Sequence, residues 1–261
     1  MKGSRRLAPR WLRRAGGRAR AEVVRADVLG DLQRLARTGR PVIVGPWLGE
    51  VGFEILYWVP FLRWVRDRFD LPPDRVIAVS RGGPVTWYRD VASRYVDVFD
   101  LLTVDALRRG NDARRRETGE QKQLQRLPFD EAIHAAAAAV VAAPDAEWLH
   151  PSVLYRLLRP YWWHHAPVSW VERHARYAAF PAPPLPAALG LRPREYVAVK
   201  FYTNDCLPPS PAARRWVHDV LTRLAADRPV VALSTDVALD DHGDALPASP
   251  ACRRAVDRCR P

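Results

Sequence analysis

Lysine is almost missing from this chain. It stands only at positions 2, 122 and 200, and arginine supplies nearly all of the basic charge behind a net +12. So complete a preference for arginine, beside abundant alanine, fits GC-rich coding as well as a functional demand. The charge is also spread out, with acids interleaved from Asp67 onward, and no strong nucleic-acid signature accompanies it. Acids in turn are missing from residues 1–20, which hold eight basic residues. That stretch lacks the apolar segment of a secretory signal. It reads as a solvated, disordered or partly helical basic arm, the alternative being contact with anionic lipid headgroups or nucleic acid. Cysteine is scarce as well. Cys206, Cys252 and Cys259 are odd in number and lack CxxC spacing, which argues against a disulfide framework or zinc site and for a reducing cytoplasm. No apolar run approaches the ~18 residues of a membrane span. The longest, residues 135–143, is bounded by His134 and Pro144. The expected location is therefore the cytoplasm, with peripheral contact to the inner face of the membrane through the basic arm.

What is present is a globular composition. An apolar content of 48% with ten tryptophans can build a buried core, and 261 residues suit two modest domains or one large one. Residues 1–40 read as the basic arm and then a helix, because Val24, Val28, Leu32 and Leu35 recur at helical spacing. Gly39 suits its C-cap. "PVIVGPW" reads as a short buried strand. Residues 53–69 are apolar almost all round and read as a helix, kinked or restarted at Pro60. "RVIAVS" is a second buried strand, "RGGP" a tight turn, "VTWYRDVASRY" a short helix and "YVDVFDL" a third strand. This alternation implies a parallel sheet with right-handed crossovers. Residues 108–126 read as a loop or an exposed helix, and "DEAIHAAAAAVVAA" as a helix. "EWLHPSVLYRLLRPYWWHH" reads as a helix N-capped by Ser152 and disturbed at Pro160.

The proline-rich "PAPPLPAALGLRPR", residues 181–194, is a linker. Beyond it the alternation resumes, with "YVAVKFY" a strand, residues 211–227 a helix and "PVVALS" a strand. The expected organisation is α/β: a Rossmann-like domain with a parallel sheet over 41–180, and a second α/β unit over 195–261. The second unit is barely more than one βαβ motif and cannot cover a parallel sheet on both faces. It reads as partial, either a truncated domain, which would leave the chain inactive alone, or an appendage of the first.

The most distinctive stretch is "GPWLGEVGFEILYWVP", three glycines and two glutamates ahead of a bulky apolar run. Its glycine spacing is not G-x-G-x-x-G, and no GK[ST] follows, so it is neither a dinucleotide fingerprint nor a P-loop. It resembles the first strand–loop–helix of GT-B-fold glycosyltransferases, the group that includes the ADP-heptose-type transferases. There a glycine-rich loop follows the first strand, an acid at the helix start acts as catalytic base, and a proline lies six positions on. Glu54 and Pro60 have that spacing. Phe53 separates Gly52 from the acid where the family has a Gly-Asp pair; Glu50, directly after Gly49, matches the pair better and the proline worse. "SRGG", "EWLHPS", "VAVKFY" and "LDDH" add similarity to bacterial glycosyltransferase-like proteins of polysaccharide biosynthesis, over roughly residues 41–240. The resemblance implies a GT-B architecture with an acceptor-side first domain and a donor-side second one. It implies transfer of a sugar from a nucleotide-sugar co-substrate to a hydroxyl of a saccharide or lipid-linked acceptor. No metal or other cofactor is required.

Such a transfer needs a base for the acceptor's proton, and cations or helix dipoles for the departing diphosphate. Glu54 and Glu50 are the candidate bases. They share a face if the helix begins at Gly49, and two close carboxylates raise the pKa of one of them. The alternative is that both complement the helix dipole. In the resembled family a lysine near the start of the second domain contacts donor phosphate, which points to Lys200, at a strand end where open α/β sheets bind ligands. Thr203 and Asn204 can add hydrogen bonds. On the acceptor side, Arg81 and Gly82 offer a turn whose amides cradle an anion and a cation that clamps it, or simply a tight turn. His150 can bond an acceptor hydroxyl or serve as a structural histidine. Gly49 and Gly52 leave room for a ligand. Trp47 is the first candidate for a sugar-stacking platform, ahead of Trp148, Trp162 and Trp163, although most tryptophans in such a chain serve the core. No histidine pair has metal spacing, and "DDH" at 240–242 reads as a polar turn. The competing function is a non-catalytic α/β module that binds nucleotide, nucleic acid or a membrane surface through its basic regions.

Overall fold

A computed structural model describes residues 10–120, 122–180, 192, 195–203, 210–232, 243–244 and 253–254. Residues 1–9, nearly all of the linker, Asn204, the three cysteines and the "DDH" at 240–242 lie outside the described residues. The chain separates into two compact units, Met1–Pro181 and Ala182–Pro261.

The first unit opens with α1 (Arg10–Arg37), which starts well before the apolar stripe. Ala21, Val28, Leu32 and Leu35 are its buried contacts. Gly39, at φ 72, closes it in the left-handed conformation that glycine adopts without penalty. β1 (Val42–Val44) is wholly buried, as its β-branched run requires of a strand covered on both faces. The following helix restarts at Pro60, as one of the two expectations had it. α2 (Val51–Phe53) passes into a π-helical turn (Glu54–Trp58) and then α3 (Val59–Phe69). Pro60 sits in the first turn of α3, where its missing N–H costs little. The widened turn aims Glu54 and Trp58 inward; such π-turns recur at functional sites.

β2 (Val76–Ser80), α4 (Val85–Tyr88), β3 (Arg94–Asp97) and α5 (Val98–Leu101) follow. "YVDVFDL" does not run as one strand, because the Asp97 carboxylate accepts from the Phe99 N–H at 2.9 Å and starts a helix there. α6 (Val104–Thr118) is N-capped by Thr103 and closed by left-handed Gly119. It buries Leu107 and Arg114, so the helix alternative for this stretch holds but its face is not simply exposed. α7 (Pro128–Val140), β4 (Glu147–Leu149), α8 (Ser152–Trp162) and α9 (Ser169–Arg173) complete the unit. "EWL" is thus a strand rather than a lead-in to a helix. Ser152 is not the N-cap; Pro151 holds that position, and the Ser152 hydroxyl meets His150 Nδ1 at 2.9 Å.

The four strands form one parallel sheet in the order β3-β2-β1-β4. Central β1 sets Val42 opposite Val76 on one side and Glu147 on the other. This is a Rossmann-like α/β arrangement. Its main core joins β1 to α1, α3 and α8 through Val28, Val44, Trp58, Phe61, Leu154 and Leu157.

The second unit contains β5 (Val197–Val199), β6 (Tyr202–Thr203), α10 (Pro211–Asp227), β7 (Val230–Ala232), β8 (Gly243–Asp244) and β9 (Arg253–Arg254). β5, β7 and β9 form a parallel sheet, and β6 pairs with β8 antiparallel. "YVAVKFY" breaks at Lys200 and Phe201. Ser210 caps α10 by accepting from the Ala213 N–H at 3.1 Å, and Val199, Val217, Leu221 and Val230 make a small core. Among the described residues no helix is long and apolar enough to cross a membrane.

Candidate functional site

A parallel sheet turns the C-terminal ends of all its strands to one edge. Open α/β sheets bind ligands along that edge, where the strand order reverses. Here the reversal lies between β1 and β4. The site residues selected from the first unit gather along this edge, after β1, β2 and β4.

The loop after β1 begins at Gly45, whose φ is 119 and whose peptide bond to Pro46 is cis. A Cβ on Gly45 would stand 2.2 Å from the Val79 carbonyl oxygen, so only glycine fits. Trp47 then turns into the core. It is fully buried, stacks on Trp58 at 5.7 Å and Tyr155 at 6.1 Å, and donates from Nε1 to the Glu50 carbonyl at 3.2 Å. The expectation of a sugar platform at Trp47 is overturned, since neither ring face is open to a ligand. Gly49 borders the Trp47 ring, where a Cβ would meet Cζ2 at 3.3 Å. Gly52 is helical and exposed, with nothing near the place of a Cβ; no turn requires it.

The π-helical turn carries Glu54 beneath the end of β2. The Ser80 hydroxyl donates to Glu54 Oε1 at 2.5 Å, and the Tyr88 hydroxyl donates to the same oxygen. Glu54 is only 1% exposed. Burial pushes its carboxyl up from 4.5 to about 7, against the opposing pull of Ser80, Tyr88 and Arg81. Burial also raises the Tyr88 and Tyr95 hydroxyls, which keeps Tyr88 a donor. The expected pairing with Glu50 is not what lifts Glu54. Glu50 is exposed in an extended conformation at the N-cap of α2, so the helix does not begin at Gly49 and the two side chains do not share a face. Their link is the backbone bond from the Glu54 N–H to the Glu50 carbonyl, 3.1 Å.

The turn after β2 is built as an anion cradle and is already filled. Gly82 and Gly83, at φ 80 and 81, donate their N–H groups to the Asp97 carboxylate at 3.2 and 2.7 Å. The Tyr95 hydroxyl adds a bond to Asp97 at 3.3 Å. The expected acceptor anion at Gly82 is therefore replaced by the chain's own carboxylate. Arg81 Nη2 donates to the Gly49 carbonyl at 2.7 Å, tying together the loops after β1 and β2.

At the β1/β4 reversal lies a buried polar cluster that includes residues sequence reasoning passed over. Gln123 accepts from the Leu48 N–H at 2.8 Å and donates to the Pro46 carbonyl at 2.8 Å and to Asp130 at 3.0 Å. Arg114 donates to Asp130 at 2.6 Å, with both side chains buried. Asp130 also accepts from the Leu127 N–H at 2.9 Å. His150 lies here too, fully buried. Its Nδ1 accepts from the Ser152 N–H at 3.1 Å, which puts the proton on Nε2, 3.5 Å from Asp130 Oδ2. Burial holds His150 below its ordinary value, and hence neutral, despite Asp130. Burial alone would raise Asp130, but His150 and Arg114 together bring it below the usual carboxylate value. These surroundings supply the structural role for His150 rather than contact with an acceptor. The one local signal for this cluster was "LPFD", where an acid three residues after Leu127 can close a helix start.

In the second unit Lys200 is exposed directly after β5, and Thr203 ends β6. Asn204 lies outside the described residues. Among the described residues no group of three His, Cys, Asp or Glu side chains is placed to hold a metal ion. No protein-family model, curated protein or solved structure matches this chain.

Proposed function

We propose that this chain is a GT-B-type glycosyltransferase, moving a sugar from a nucleotide-sugar donor to an acceptor hydroxyl with Glu54 as general base. One observation carries the reading. The acid after the first strand and loop is a carboxylate with a pKa of about 7, at the sheet edge where ligands bind. A base in that range accepts a proton more strongly than an ordinary carboxylate and is still substantially ionised at neutral pH. Ser80 and Tyr88 both hold Oε1, which orients the carboxylate and supports Oε2 as the proton acceptor. In the transfer, Glu54 takes the hydroxyl proton as the acceptor oxygen bonds to the anomeric carbon. The bond from that carbon to the donor diphosphate breaks at the same centre. Because Glu54 is covered, the acceptor reaches it only when the residues around it move. In the second unit, Lys200, exposed at a strand end, is the proposed contact for donor phosphate.

Incubation with a panel of nucleotide sugars and hydroxyl acceptors, read as release of nucleoside diphosphate, tests this. The wild-type chain turns over at least one donor, and Glu54→Gln folds but does not. Equal release by both removes Glu54 from the reaction.

A second reading is favoured by the near-complete burial of Glu54. In it the chain is a non-catalytic α/β module that binds nucleotide or an anionic partner. It then binds nucleotide without releasing diphosphate from any donor in the panel.

A further inference from the structure

Residues 10–21 hold five arginines and no acid, and residues 148–171 hold no acid either. The fold lays them side by side. α1 packs along α8, and at Gly17 its backbone comes so close to His165 that a Cβ there would stand 3.0 Å from the ring. The loop it meets, residues 163–168, joins α8 to α9 and faces solvent. Trp163 is 60% exposed and Val168 58%. The Arg159 guanidinium sits over the Trp163 ring, 5.2 Å from its centroid. Arg18 and Arg20, next to Gly17, are exposed.

Charge is distributed unevenly along α1. Its first acids pair with arginines: Glu22 with Arg25 at 3.3 Å, and Asp27 with Arg156 at 3.2 Å. The arginines upstream of Glu22 have no acid among residues 10–21 to offset them. The result is a cationic segment, Arg18 and Arg20, on the same part of α1 that meets a loop with an exposed indole and valine. That combination suits the bilayer interface, where indole rings sit at the headgroup level and arginines meet anionic headgroups.

We infer that the 16–20 segment of α1, with Arg18 and Arg20, and the 163–168 loop form one surface that docks on an anionic phospholipid bilayer. The contact is peripheral. A nucleic acid would match the arginines and could stack on Trp163, but it offers no apolar partner to Val168 and Pro167. A lipid interface accommodates all of them.

Co-sedimentation of the full chain with phosphatidylcholine vesicles, with and without phosphatidylglycerol, tests the inference at low and high salt. The chain should sediment with the anionic vesicles alone and be released by salt. The Arg18→Glu/Arg20→Glu variant and Trp163→Ala should each weaken binding at least about fivefold. All three side chains are exposed, so the melting temperature should not move. If it does, Arg18→Gln/Arg20→Gln and Trp163→Gln replace them in the same measurement. Three results overturn the surface: no binding to anionic vesicles, equal binding to neutral ones, or a loss on charge reversal with none at Trp163. Salt-sensitive binding to a duplex DNA or RNA oligonucleotide without binding to vesicles assigns the arginines to nucleic acid instead.

Discussion

Tyr88 and Glu54 are joined inside the protein, the tyrosine hydroxyl donating to the carboxylate oxygen that also takes the Ser80 hydroxyl. The pH dependence follows from the raised carboxyl. Below pH 4.5, Glu54 is protonated in both the folded and the unfolded chain, and its stabilising contribution is fully present. Between 4.5 and about 7, the unfolded chain releases a proton that the fold retains, so stability falls by about 3 kcal/mol in all. Glu54→Gln has no such titration. Urea denaturation at a series of pH values should find the variant more stable than the parent above neutrality and matched to it near pH 4.5. Tyr88→Phe removes a bond that favours the ionised form, so its stability should fall over a range shifted to higher pH.

Gly45→Ala should be among the most damaging substitutions in the first unit. The new Cβ meets backbone, the Val79 carbonyl, which is already held by the Trp47 N–H at 2.9 Å. A positive φ adds to the strain. A loss of about 3 kcal/mol or more is expected, measured as a lowered denaturation midpoint or as failure to recover folded protein. Gly52→Ala, on an exposed helical turn, should be neutral or slightly stabilising.

The Arg114–Asp130 pair predicts a non-additive cycle. Arg114→Ala strands a buried carboxylate and should cost about 3–5 kcal/mol. Replacing both with apolar residues of similar size should cost less than the sum of the singles, read by a double-mutant cycle in urea. The pair also sets an acid limb. Asp130 contributes stability present above 3.8 and lost as pH falls through its lowered folded value. Arg114→Ala should flatten that limb.

Lys200→Ala tests the donor side separately from the base. Its exposure predicts an unchanged melting temperature. Loss of a charged contact to phosphate should weaken nucleoside diphosphate binding by about tenfold or more, measured by titration calorimetry. Unchanged affinity removes Lys200 from the donor site.

The sequence made the sheet partly legible and the environment of the site much less so. β1 and β2 stood out because continuous β-branched runs have few other uses. β4 did not, since three residues gain strand character only by pairing with β1 far upstream. The glycine-rich loop drew attention to Glu54, whose burial and raised carboxyl the sequence did not show, and Trp47 misled. A large aromatic beside a glycine loop looks the same in sequence whether it faces a ligand or the core. The separation of Glu50 from Glu54 was hidden too, because it depends on an extended N-cap and a π-helical turn. Gln123 and Arg114 carried no local mark at all, since their partners come from other loops and helices.

The late arrival of β4 bears on how the chain emerges from the ribosome. β2 and β3 follow β1 closely, but Glu147 reaches Val42 only after most of the first unit has been synthesised. Until then one edge of an apolar strand has no neighbour, and such edges recruit other chains. Nascent chains that stop short of residue 147 should therefore depend on chaperones, and their yield of dispersed protein should rise abruptly once β4 is included.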